Sequence, residues 1–226
     1  AILARALRLP AVLSIPKALE LVQDGDGLIV DGSEGVVVLN PDARTRGEYL
    51  SRQKDHQEQI AALEIYRDKP TADADGKYYH LYANIGSASE AEDAAQSGAE
   101  GIGLFRTEFL FMDRTSLPDE TVQYEAYHAV SKTMAGKEVI IRTLDVGGDK
   151  AIDYLGMDKE ENPFLGHRAI RYCLSRPELF KVQLRALLRA GAEEKNIKIM
   201  LPLVTCVEEV RSARELLEQC KKELTE

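Results

Sequence analysis

The hydrophobic rhythm of the chain changes several times along its length. Residues 1–10 carry apolar side chains at 2, 3, 6, 7 and 9, a helical spacing stopped by Pro10. Residues 11–13 read as a strand and 18–23 as a short turn of structure. Two apolar runs follow, 28–30 and 36–39. Asp24-Gly25-Asp26-Gly27 leads into the first and Asp31-Gly32-Ser33-Glu34-Gly35 separates them, so the pair reads as a β-hairpin. Residues 42–68 then contain no Pro and, after Gly47, no Gly, and they are rich in Arg, Lys, Glu and Gln. Their few aliphatics (Leu50, Ile60, Leu63 and Ile65) do not make an apolar face. A solvated surface helix is the plain reading. The Pro-containing breaks at 41 and 70 favour a helical connector, which would span roughly 40 Å.

From Thr71 onward the pattern alternates. Strands are predicted over 79–84, 101–105, 138–142 and 196–204, and helices over 89–97, 118–134, 165–174, 177–190 and 207–226. Strand and helix in this alternation imply parallel strands joined by helical crossovers. Two α/β architectures fit, an open doubly wound sheet and a (β/α)8 TIM-type barrel. No GxGxxG or GxxxxGK[ST] follows the first strand, which weighs against a nucleotide fold. Four units make only the first half of a barrel and would leave raw sheet edges. The missing units are therefore expected beyond Glu226. Three regions result: 1–40, the end of a β-containing domain; 41–70, a helical linker; and 71–226, the partial barrel.

Composition narrows the function. A net charge of -9 argues against a nucleic-acid binder. The three cysteines, Cys173, Cys206 and Cys220, are widely spaced and odd in number, which fits a reducing, cytoplasmic compartment and no disulfide framework. No apolar run approaches a membrane span and no signal-peptide pattern is present, so no membrane insertion is expected. The first residue is not Met and the last helix runs to residue 226, so a fragment at both ends is expected.

Chemistry concentrates where apolar strands end on cations. GIGLFRTEFLFM (101–112) breaks from an apolar run into Arg106-Thr107-Glu108, and VIIRTLDVGGDK (139–150) repeats the design with Arg142-Thr143 and Asp145. In a barrel, chemistry sits at the C-terminal ends of strands; Asn84, Arg106, Arg142 and 202–205 lie at or just beyond those ends. Two arginines on adjacent strand ends can clamp a phosphate or carboxylate with their planar forks. The competing reading gives each arginine a structural ion pair with Glu108 or Asp145. Gly147-Gly148 would let backbone amides approach an anion, with Lys150 adding charge, although the run taken alone is an ordinary turn. Arg168 and Arg171 come early in a predicted helix, where the dipole gives a cation no help; an anion partner for one of them is the functional alternative to an ordinary surface position. His56, His80, His128 and His167 are scattered and read as structural. The cysteines read as core or helix-face residues, and no carboxylate cluster marks a metal site.

GIGLFRTEFLFMDR (101–114), IIRTLDVGGDK (140–150) and KEENPFLGHRAIR (159–171), in that order and spacing, resemble enzyme I of the bacterial phosphoenolpyruvate:sugar phosphotransferase system. The similarity runs from Ala1 to Glu226. Pyruvate, phosphate dikinase and phosphoenolpyruvate synthase share the architecture with looser motifs and are the alternative; a non-catalytic binding module is another. The resemblance implies that Arg106 and Arg142 bind phosphoenolpyruvate, with Lys150 and Arg168 lining the same pocket. It implies a phosphorylated histidine just before Ala1, on a swivelling domain of which 1–40 is the tail. It also implies Mg2+ held by acids beyond Glu226, a catalytic cysteine there too, the carrier protein HPr as partner, and a homodimer at full length. On that reading this chain by itself is an inactive part of a phosphotransferase.

Overall fold

The computed structural model describes residue 4 and residues 9–112, 114–147, 152–157 and 160–225, without the side chains of residues 19 and 153. The chain divides into two compact units, Ala1–Lys69 and Pro70–Glu226. In the first, β1 (Leu28–Asp31) and β2 (Val36–Leu39) pair antiparallel with Leu28 opposite Leu39, the expected hairpin. Its turn is held by Asp31, whose Oδ1 accepts from the amides of Ser33 and Glu34. A short helix α1 (Ala18–Leu21) precedes the hairpin. The run at 11–13 is not a strand. Its apolar residues lack a ladder partner, and Ala11 instead lies against the backbone of Gly32. The helix expected over 1–10 lies mostly outside the described residues.

Helix α2 (Ala43–Glu64) realises the long polar stretch. Asp42 caps it, accepting from the Thr45 amide at 2.7 Å. None of its residues is buried, as the missing apolar face requires.

The second unit is α/β. Strands β3 (Tyr82–Ile85), β4 (Gly101–Arg106), β5 (Glu138–Arg142) and β6 (Ile197–Met200) form one parallel sheet in the order β3-β4-β5-β6. Each strand pairs with its successor, as a series of helical crossovers dictates. The crossovers are α3 (Glu90–Gln96), the single turn α4 (Phe109–Met112) with α5 (Glu120–Thr133), and α6 (Ala169–Ser175) with α7 (Pro177–Glu194); α8 (Val207–Glu223) follows β6. A 3-10 turn occupies Asp153–Leu155. Two apolar clusters hold the unit together. One joins Ile102, Phe105, Val139 and Ile141 of the sheet to Tyr127, Val130, Leu187 and Ala190 of α5 and α7. The other gathers Phe111, Leu144, Val146, Ile170, Phe180 and Leu184.

Several boundaries move from their expected places. The run expected as a strand from residue 79 pairs only from Tyr82, and the one expected over 196–204 pairs only through Met200. The helix expected from 165 starts at Ala169; in the loop before it the His167 amide donates to Glu160 Oε1 at 2.9 Å. Asp119 lies just outside α5 as its cap rather than in its first turn, accepting from the Val122 amide. No helix among the described residues is long and apolar enough to cross a membrane.

Candidate functional site

Strand β4 ends on Arg106 and β5 on Arg142, and the parallel ladder sets these two residues opposite each other. Along β5 the alternation buries Val139 and Ile141 against the helices, so Ile140 and Arg142 project from the other, half-buried face. Asn84 lies at the end of β3, and the residues after Met200 leave β6 at the same end of the sheet, since all four strands run parallel.

Arg142 is held on two sides. Its Nη2 donates to Glu108 Oε1 at 2.6 Å, and its Nη1 lies 2.9 Å from Asp145 Oδ2. The other oxygen of Asp145 accepts from Arg168 Nη2 at 2.9 Å and from its Nε at 3.3 Å. One carboxylate thus bridges two guanidinium groups, and Arg168 is almost completely buried beside Phe164, whose ring centroid lies 5.2 Å from its Cζ. Gly147 makes room for this: a Cβ there would stand 3.0 Å from the Arg168 guanidinium.

Arg106 differs. Among the described residues it makes no ion pair; its Cζ lies 5.0 Å from the Phe109 ring centroid, and its Nε is buried without a hydrogen-bond partner. The Nε of Arg142 is likewise buried and without one. Buried guanidinium N–H groups left in this state are costly, and an oxyanion with several acceptor lone pairs would satisfy them.

The structural reading holds for Arg142, which pairs with both Glu108 and Asp145, and not for Arg106, which among the described residues makes no ion pair; the two arginines stand opposite each other in the ladder. Arg168 joins through Asp145. It does so as the extended residue before α6, not from inside a helix as expected, which frees its side chain to reach Asp145. Arg171 donates from Nε to the Gly166 carbonyl instead. Lys150, with Gly148 and Asp149, lies outside the described residues.

His80 has a carboxylate partner, Glu100, with Nδ1 2.6 Å from Oε2, brought near by the chain's return and invisible in the local spacing. The reading of the cysteines needs one correction. Cys206 is exposed at the start of α8, neither core nor helix face; Cys173 and Cys220 are buried. Burial pushes the Cys173 thiol up to about 12, so it is an inert core residue. Among the described residues no group of three or more His, Cys, Asp or Glu side chains could hold a metal ion.

The sequence reading missed Gln183. It is completely buried on α7, between Phe180 and Leu184, and reaches the backbone beside Arg142. Its signal was a polar residue in the apolar stripe of an amphipathic helix.

Residues 60–226 match the model for the PEP-binding domain of PEP-utilising enzymes, and residues 1–35 match that for their mobile domain. The chain belongs to the PEP-utilising enzymes. Among curated members of this family, the phosphoenolpyruvate-protein phosphotransferase of Staphylococcus carnosus (strain TM300) is 46% identical over 219 residues, covering 97% of this chain and 38% of that protein. The protein of the same name from Bacillus subtilis (strain 168) is 44% identical over 224 residues, covering 99% of this chain and 39% of the relative. That from Staphylococcus aureus is 43% identical over 227 residues, with the same coverage. The chain thus spans about two fifths of the length of the curated relatives it matches.

Proposed function

We propose that this chain is part of a phosphoenolpyruvate-protein phosphotransferase and carries the first half of its phosphoenolpyruvate site. The observation that carries the reading is the opposed Arg106–Arg142 pair at the ends of adjacent parallel strands, each with a buried Nε that lacks a partner. The names of the family and of the relatives supply the substrate class. Sequential parallel strands, with cations at their C-terminal ends, agree with a (β/α)8-type barrel of which 71–226 is one part. On this reading 1–40 is the tail of the swivelling phosphohistidine domain and 41–70 the linker.

In the reaction a histidine nitrogen attacks the phosphorus in line, the bond from phosphorus to the enol oxygen breaks, and pyruvate departs. Arg106 and Arg142 would bind the equatorial phosphoryl oxygens and offset the charge that builds on them, in a half-buried site where such contacts are strong. Arg168 would act from behind, keeping Asp145 engaged so that Arg142 holds one orientation; Lys150 would add a further cation. Magnesium belongs to this chemistry in the family the chain resembles, but the described residues do not offer it a ligand set, and no step is derived through it. The phosphohistidine would pass its group to HPr, in a cytoplasmic protein that dimerises at full length.

Calorimetric titration with phosphoenolpyruvate tests the site. Binding that weakens about tenfold or more in Arg106→Ala is the expected result. Equal binding by wild type and variant would remove Arg106 from the site.

A further inference from the structure

Beneath the two arginines runs a chain of buried polar groups that joins three elements. Gln183 of α7 accepts from the Leu144 amide through Oε1 at 3.0 Å. Its Nε2 donates to Tyr127 OH at 3.0 Å and to Thr107 Oγ1 at 3.3 Å. Thr107 Oγ1 in turn donates to the Arg142 carbonyl at 2.8 Å. Tyr127 OH donates to Gln123 Oε1 at 3.1 Å, and Gln123 Nε2 donates to the Pro118 carbonyl at 3.0 Å. Every donor in this sequence meets an acceptor, so the orientation of the Gln183 amide is set by its neighbours. Gln123, Gln183, Thr107 and Tyr127 are all buried.

The network is costly unless every group is satisfied, and a Leu or Met at 183 would continue the apolar stripe of α7 without that risk. Its geometry gives it a use. Gln183 touches the chain just past Arg142 directly and Arg142's own carbonyl through Thr107, which follows Arg106. One amide therefore grips both strand ends, one residue past Arg106 and two past Arg142.

We propose that Gln183 is a positioning residue that sets the spacing and orientation of the Arg106–Arg142 pair for a phosphoryl group. This rests on the phosphoenolpyruvate reading of the site. Gln183 does not touch the ligand; it acts through the backbone of residues 142–144 and the hydroxyl of Thr107. A shift of the two strand ends relative to each other would break the simultaneous reach of both guanidinium forks, and affinity falls steeply with such displacement.

The test is phosphoenolpyruvate titration of the wild-type protein, Gln183→Met and Gln183→Glu, each verified as folded by circular dichroism at the temperature used. Gln183→Met keeps volume but loses every hydrogen bond, and its Kd should rise about tenfold. Gln183→Glu supplies a variant whose defect is reversible. Burial raises the carboxyl's pKa, so at about pH 6 the protonated group regains a donor and at about pH 8 it does not. Its affinity, relative to wild type at the same pH, should recover on acidification. A folded Gln183→Met with wild-type Kd and only a lowered melting temperature overturns the inference, because a merely structural role predicts that result. Should Gln183→Met not fold, Thr107→Val removes the hydroxyl that joins Gln183 to the Arg142 carbonyl, leaves the bonds of Gln183 to Leu144 and Tyr127, and carries the same expectation and the same refutation. Wild-type protein that fails to bind refutes the site reading and the inference together; binding by wild type with equal binding by the variants refutes the inference alone.

Discussion

At the scale of single residues, the two strand-end arginines sit in different electrostatic settings. Arg142 lies between two carboxylates, its side chain 18% exposed, while Arg106 has an aromatic ring beside it and, among the described residues, no carboxylate. Their truncations should therefore separate. Arg142→Ala removes the cation from between Glu108 and Asp145, and breaking a buried pair of this kind costs roughly 3 kcal/mol. Urea unfolding should register that loss, and phosphoenolpyruvate binding should be lost with it. Arg106→Ala removes no ion pair, so its unfolding midpoint should stay near that of wild type while binding weakens. Gly147 supports the same cluster. In Gly147→Ala the new methyl would press on a guanidinium that Asp145 holds in place, which should cost about 1 kcal/mol, measurable by the same unfolding curves.

At the scale of elements, the sheet depends on a close approach between β4 and β5. A Cβ at Gly101 would stand 2.7 Å from the Glu138 carbonyl oxygen and 3.1 Å from the Tyr82 ring. The obstacle is backbone in the ladder that also aligns Arg106 with Arg142. Gly101→Ala should destabilise the protein by about 2 kcal/mol in chemical unfolding and disturb the alignment of the arginines. The helices are cross-braced by charge. Glu120 on α5 accepts from Arg185 Nε at 2.7 Å and Arg189 Nη1 at 2.7 Å on α7, and Arg185 also meets Glu223 on α8 at 3.0 Å. Burial works against the ionised form of Glu120, but the hydrogen bonds from Arg185 and Arg189 outweigh it and hold the carboxyl below its ordinary value of 4.5. A carboxyl lowered in the folded state contributes stability that is fully present above the unfolded pKa and lost as pH falls through the folded one. Glu120→Gln should therefore cost about 1 kcal/mol at neutral pH, and the difference from wild type should vanish in acid, below the folded pKa of Glu120. Unfolding midpoints of the pair across that range would check it.

At the scale of the whole molecule, burial is confined to one unit. Every buried residue among those described lies between Ile85 and Cys220, and none lies in Ala1–Lys69. Hydrophobic burial, the main favourable term in folding, is thus concentrated in Pro70–Glu226. Residues 70–226 produced alone should keep a cooperative thermal transition with a midpoint near that of the full chain, read by circular dichroism. A broad, non-cooperative melt would show that the second unit draws stability from residues before it.

Much of this was legible in the chain. The hairpin follows from its turn residues and the polar helix from its composition, and the repeated strand-and-helix units follow from local periodicity, because a strand or an amphipathic helix in a packed unit must bury one face. The strand-end arginines were legible for the same reason: an apolar run that stops at a cation places that cation at an edge. The boundaries were less so. Residues 79–81 have strand composition but precede the β3–β4 ladder, which begins at Tyr82, and before α6 the His167 amide turns to Glu160, a contact that propensity does not encode. By itself, then, the sequence determined the α/β class, the position of the two cations along the chain and the family motifs. Only the tertiary structure decided that Arg106 and Arg142 stand opposite each other, that Asp145 links Arg142 to Arg168, and that Gln183 reaches both strand ends. Each of these joins groups separated along the chain, and such groups meet only once the parallel register is set by backbone hydrogen bonds and the helices close over it.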